Sequence, residues 1–77
     1  MIVIEINASE SIFDLVTKYP EIKDIMAEIG FENITKSGML QSAGRFMTIK
    51  KGAVMKGIEV KKIKRVFYEN GFILKEI

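Results

Sequence analysis

The chain has no cysteine, no histidine and no tryptophan. Without cysteine there is no disulfide framework, no thiolate metal site and no thiol redox chemistry. Without histidine, the usual general base and the commonest metal ligand are both missing. Proline occurs once and glycine six times in 77 residues, too rarely for a collagen-like or low-complexity chain. Long apolar runs are missing as well. The longest uncharged stretch, Ser37 to Gly44, falls far short of the ~20 apolar residues that span a bilayer. Met1 to Asn7 carries Glu5 and has neither a basic leader nor a small-residue cleavage site, so it does not read as a signal peptide. These absences predict a cytoplasmic protein with no cofactor, no tightly bound metal, no redox activity and no membrane association.

What is present is apolar side chain. Hydrophobic residues make up 48% of the chain and charged residues 29%, which excludes a disordered tail. The length allows one domain, residues 1–77. A domain this short buries only ~60% of its unfolded surface, so without staples its packing must hold it together. Thirteen isoleucines and five each of valine, phenylalanine and methionine supply that packing. A mean hydropathy of +0.16 is high for a small soluble monomer. Either the excess fills the core, or part of it stays exposed for a partner protein or a second copy of the chain.

Met1-Ile2-Val3-Ile4-Glu5-Ile6 is β-branched and reads as a short strand with Ile2, Ile4 and Ile6 on one face. Asn7 or Ser9 is the expected cap of a first helix, in which Ile12, Leu15, Val16 and Tyr19 share a face. Pro20 interrupts it and suits the first position of a second helix, with Ile22, Ile25, Met26 and Ile29 along one side. Gly30 stands where a helix-ending positive φ is wanted, and Phe31 is placed to fold back on the last turn. After a polar connector, Glu32 to Lys36, the residues Met39, Leu40, Ala43, Phe46 and Met47 again recur at helical spacing. Thr48 can cap a short helix from Ile49 to Lys56, which Gly57 ends. In the last helix Val60, Ile63, Val66 and Phe67 oppose Lys61, Lys62, Lys64 and Arg65. Asn70-Gly71 closes it, and Phe72 to Ile77 is extended. Residues 22–31 and 63–72 resemble one another, as two amphipathic helices with one capping device would; a repeat array would need more copies. The expected fold is mainly α: a single small bundle of four to five short helices, whose extended terminal segments can pair within one chain or between two.

Charge is uneven. Residues 1–44 hold three lysines against seven acids, a net of −4, whereas residues 45–65 hold six lysines and two arginines against Glu59 alone, a net of +7. The basic face of residues 45–65 permits weak nucleic-acid binding, but no exposed aromatic is interleaved for stacking, which disfavours it. The plainer alternative is a solvated face. Within the stretch, Arg45, Thr48, Lys50 and Lys51 form a candidate anion site. If Thr48 caps a helix, the N–H groups of Ile49 and Lys50 can hold an anion beside Arg45 and Lys51. Phosphate-loop spacing is missing, and the alternative is a plain cap. For catalysis the residues are poor. The serines have no base in view, and Asp14, Glu21, Asp24 and Glu28 fall on polar helix faces rather than pairing inward. No enzymatic activity is expected.

The motifs Tyr19-Pro20-Glu21-Ile22, Ile29-Gly30-Phe31, Met39-Leu40, Gly44-Arg45-Phe46-Met47-Thr48, Gly57-Ile58 and Asn70-Gly71-Phe72 occur in order along nearly the whole chain. In this the chain resembles the bacterial domain-of-unknown-function family 1858. The resemblance implies a compact helical domain with an accessory role, found free-standing or at the N-terminus of larger proteins, including iron–sulfur cluster repair proteins. A related branch, associated with hybrid-cluster proteins, has a Cys-x-x-Cys just after the glycine matching Gly30. This chain departs there, because Phe31 to Lys36 holds no cysteine, so no disulfide activity and no catalytic residue is implied.

The reading that follows is a non-catalytic accessory or regulatory module for protein–protein interaction, linked to redox or iron–sulfur proteins by the resemblance only. Residues 34–56 are expected to line the main groove or exposed apolar patch and form the interaction face, with Ile34, Met39, Met47, Val54 and Met55 as its candidate residues. These residues lie in short, glycine-punctuated segments that commit their side chains less firmly to the core, and methionine suits an adaptable surface. Lys50, Lys51 and Lys56 nearby can steer an acidic partner. The competing reading is that they plug one end of the bundle.

Overall fold

Two four-residue strands, one from each end of the chain, lie side by side in the computed structural model, which describes residues 3–31, 34, 36 and 38–77. Strand β1 (Ile4–Asn7) runs parallel to β2 (Phe72–Lys75), with Ile4 opposite Phe72 and Asn7 opposite Lys75. The Ile4 N–H donates to the Gly71 C=O at 2.9 Å, and the Ala8 N–H to the Lys75 C=O at 2.8 Å. Ile6, Phe72 and Leu74 face inward and are buried; Glu5 and Lys75 face out and form an ion pair at 3.2 Å. Ile2, expected on the same inner face, lies outside the described residues.

Between the strands come five α-helices among the described residues: α1 (Ile12–Lys18), α2 (Ile22–Ile29), α3 (Met39–Ser42), α4 (Ile49–Lys56) and α5 (Val60–Glu69). The fold is mainly α, with short terminal strands. Three expected details are corrected. First, α1 is capped by Ser11, whose hydroxyl accepts from the Asp14 N–H at 3.1 Å. Asn7 cannot serve because it ends β1, and its side chain accepts from the Ser9 N–H at 2.7 Å to start the turn out of the strand. Secondly, α2 begins at Ile22 rather than Pro20. The Ile22 and Lys23 N–H groups donate to the Tyr19 and Pro20 carbonyls, so the proline sits in a tight turn before the helix. Thirdly, the helical spacing through Met39–Met47 breaks after Ser42, where a 3₁₀ turn over Ala43–Arg45 follows. The tighter winding, ~3.0 residues per turn instead of ~3.6, moves later side chains off the earlier face. Phe46, expected inside, is therefore 79% exposed, which also corrects the expectation that the basic stretch 45–65 holds no exposed aromatic.

The remaining boundaries follow local chemistry. Gly30 has φ 126°, and both its N–H and that of Phe31 donate to the Met26 carbonyl. Phe31 folds back and is buried. At α4 the Thr48 hydroxyl accepts from the Lys51 N–H at 3.0 Å, and Gly57, φ 65°, ends the helix. The core runs along the inner surfaces of four helices: Ile12 and Leu15 of α1, Ile22 and Met26 of α2, Ile49 of α4, and Ile63 and Phe67 of α5 are essentially inaccessible, while α3 buries no residue fully. No described helix is long and apolar enough to cross a membrane.

Candidate functional site

Helices α1 and α4 start next to one another, and this fixes the site. Their capping residues, Ser11 and Thr48, form an isolated antiparallel bridge. The Ile12 N–H donates to the Met47 C=O at 2.9 Å, and the Lys50 N–H to the Ala8 C=O at 3.2 Å. From this junction α4 runs past Phe31, while α3 and the 3₁₀ turn close the other side. The space left between them is a groove of about 270 Å³. Its walls are Ile12, Phe31, Ile34, Met39, Ala43, Met47, Gly52 and Met55, with Lys56 at the margin. Apart from that ammonium, the side chains on this surface are carbon and thioether sulfur.

Of the five residues expected to form an interaction face, four meet here. Ile34 forms part of the buried floor, Met47 is half-buried, and Met39 and Met55 are exposed at the lips. Val54 is not in the groove. It lies between Gly52 and Met55 in sequence, but two residues from Gly52 is more than half a helical turn, which carries it to the outer side of α4, where it is 80% exposed. Of the other lining residues, Ile12 and Phe31 lie outside the expected stretch 34–56, and Ala43 and Gly52 lie within it but were not among the five residues named. Only Gly52 carried a signal: a glycine inside a helix usually marks a close approach.

That approach is to Phe31. A Cβ on Gly52 would stand 2.7 Å from the Phe31 Cε1, and the ring is buried against the core. In an ordinary helix interior, glycine to alanine stabilises by about 0.5–1 kcal/mol. Here overpacking opposes it by about 1–3 kcal/mol. Gly52→Ala is expected to lower the urea midpoint, and a raised midpoint would show that the ring moves freely.

The four residues of the candidate anion site do not assemble into an open cradle. The Thr48 hydroxyl already accepts from Lys51, and of the two amides expected to be available, that of Lys50 already donates to Ala8. The Arg45 Nε donates to the Gln41 C=O at 2.8 Å, and its guanidinium lies 4.5 Å from the centre of the Phe13 ring. The Lys51 ammonium reaches the Phe46 carbonyl at 3.5 Å. Thr48 acts as a cap and Arg45 as a tie between the 3₁₀ turn and α1.

Elsewhere the polar chemistry is sparse. No polar or charged residue is buried among the described residues, and no three of their metal-ligating side chains gather as a cation site. Asp14, Glu21, Asp24 and Glu28 are exposed.

Residues 6–64 match a family described as a domain of unknown function, DUF1858. The fold is similar over 100% of this chain to the crystal structure of a conserved domain protein from Streptococcus pneumoniae TIGR4, of which 98% is covered, with 27% identity and a TM-score of 0.89. No curated protein shows significant similarity to the chain.

Proposed function

The chain belongs to the family of domains of unknown function DUF1858, and we propose that this member is a non-catalytic docking module whose groove beside α4 receives apolar side chains of a partner protein. One observation carries the reading. An apolar groove opens beside large hydrophobic side chains that the fold leaves in water: Met39 at 40% exposure and Met55 at 72%. Isolated exposed apolar residues are ordinary, but a concave apolar surface with exposed methionine lips is what a partner's side chains can fill. Binding a small anion at Arg45–Gly52 is the weaker reading, because the Lys50 amide and the Arg45 Nε are engaged within the fold. The link to redox or iron–sulfur proteins rests on family resemblance, and this chain has no cysteine with which to act in such chemistry.

Two measurements test the reading. Met55→Ala is expected to change stability by no more than about 0.5 kcal/mol, because its side chain is in water already. A loss in the range of about 2–5 kcal/mol would make Met55 a core plug. A helical peptide with an apolar stripe and one tryptophan is expected to shift the methyl resonances of Met39, Met47 and Met55. Inorganic phosphate should leave those resonances and the melting temperature unchanged; stabilisation that saturates with phosphate would favour the anion reading instead.

A further inference from the structure

The walls and the surrounding charge of the groove narrow the kind of partner. Of its lining residues, Ile12, Met39, Gly52, Met55 and Lys56 belong to α1, α3 and α4, and the Gly52 N–H, for example, donates to the Thr48 C=O at 2.9 Å. Among the described lining residues none belongs to a strand, so an extended segment finds no strand edge there to pair with its own amides. A helix brings its hydrogen bonds with it and presents apolar side chains at i, i+3, i+4 and i+7.

Among the described lining residues the one charged side chain is positive. Lys56 stands at the margin beside Met55, and Lys51, whose ammonium reaches the Phe46 carbonyl, stands about one turn before Met55 on α4. Both belong to the stretch 45–65, with its net charge of +7. Among the described residues the ion pairs are Lys18–Glu10 and Lys75–Glu5, and neither involves a lysine or arginine of this stretch. An acidic partner would be drawn to this face and a basic one repelled.

A second copy of the chain does not fit these conditions. Its acidic helix α2 has already buried Ile22, Ile25, Met26 and Ile29 in its own core. The exposed apolar residues of its helices include Val54 and Met55 on α4 and Val60 on α5, and those two helices are basic. It therefore has no described helix that is acidic and also has its apolar stripe to spare.

We propose, building on the docking reading above, that the groove's occupant is an amphipathic helix of another protein whose apolar stripe fills the groove and whose flanking positions are acidic. Three helical peptides test this. They share one apolar stripe and one tryptophan reporter and differ only in their flanks: glutamate, glutamine or lysine. The glutamate peptide is expected to bind roughly tenfold tighter than the glutamine peptide at low salt, with the advantage shrinking as salt rises. The lysine peptide should bind more weakly than either. Lys51→Glu with Lys56→Glu, both at exposed positions, should reverse the order while leaving the melting temperature nearly unchanged. Equal binding of the glutamate and glutamine peptides would overturn the acidic partner and leave the groove reading standing. Failure of all three to bind would remove both. The proposal also falls if the Met39, Met47 and Met55 methyl resonances shift on raising the protein concentration alone, which marks self-association. It falls equally if a single-stranded oligonucleotide shifts them as strongly as the glutamate peptide does.

Discussion

Replacing Phe67 by alanine is expected to remove about 3–5 kcal/mol of stability, the usual cost of emptying a fully buried aromatic site. Phe67 is inaccessible to solvent and lies on the inner face of α5, beside Ile63 and Val66. Its ring meets Phe72 edge-on, with centroids 6.3 Å apart, and Phe72 in turn meets Tyr19 at 5.5 Å. The three rings therefore join α5, β2 and the end of α1. Alanine would leave a cavity between elements distant in the sequence, where collapse to fill it is least easy. A chain of 77 residues has a total stability on the order of 4–12 kcal/mol, so this one change takes a large share. Urea unfolding followed by far-ultraviolet circular dichroism measures it, with the slope of the transition unchanged if only stability has moved. A loss below about 1.5 kcal/mol would mean that the ring is not part of the core.

The place of Phe67 was legible in the sequence, and so was most of the helical frame. Helix α4 runs from Ile49 to Lys56, with Thr48 as its cap and Gly57 as its end, as the residues themselves require. Each of those signals acts within a turn or two, where local chemistry decides. The pairing of the chain's two ends was legible for a different reason. Residues 2–6 and 72–77 hold the β-branched extended segments, and a lone strand would expose both backbone and isoleucines. What could not be read was anything depending on where one element ends relative to another. The cap of α1 moved to Ser11 because β1 claims Asn7, and that claim exists only through the pairing with β2. Phe46 turned outward because α3 stops at Ser42, a break that helical spacing alone cannot foresee.

The groove divides in the same way. Ile34, Met39, Met47 and Met55 could be placed together because their segments are short and broken by glycine. Ile12 and Phe31, which form its other wall, come from parts of the chain committed by their spacing to the core. They reach the groove because a helix has two edges to its buried stripe: Ile12 packs inward and still borders the groove. Phe31 does so because it folds back over α2, bringing its ring against Gly52. A residue can be core and wall together, and sequence patterning assigns it only one of those parts.

The strongest dependence in the fold is on β2, and it yields the largest expected loss. Phe72 and Leu74 alternate with Ile73 and Lys75, so the four-residue strand turns its two large inner side chains into the core at 2% and 5% exposure. Truncating Phe72 to alanine costs about 3–5 kcal/mol and truncating Leu74 about 2–5 kcal/mol. Even with coupling between neighbours on one face, their combined loss rivals the whole stability of a chain this size. The backbone makes matters worse. Because β1 and β2 are parallel and lie at opposite ends of the sequence, no hairpin holds them together, and only the packed core keeps the Ile4 N–H on the Gly71 carbonyl. If Phe72 and Leu74 cease to pack, β1 loses its partner and Ile6 its shelter. The double variant Phe72→Ala, Leu74→Ala is expected to show no cooperative thermal transition and fast amide exchange throughout β1. Ile73→Thr, on the outer face of the same strand, should melt within a few degrees of the parent. A double variant that still melts cooperatively, with residues 4–7 protected, would show that the helices hold the core without β2 and that the paired ends are an ornament of the fold.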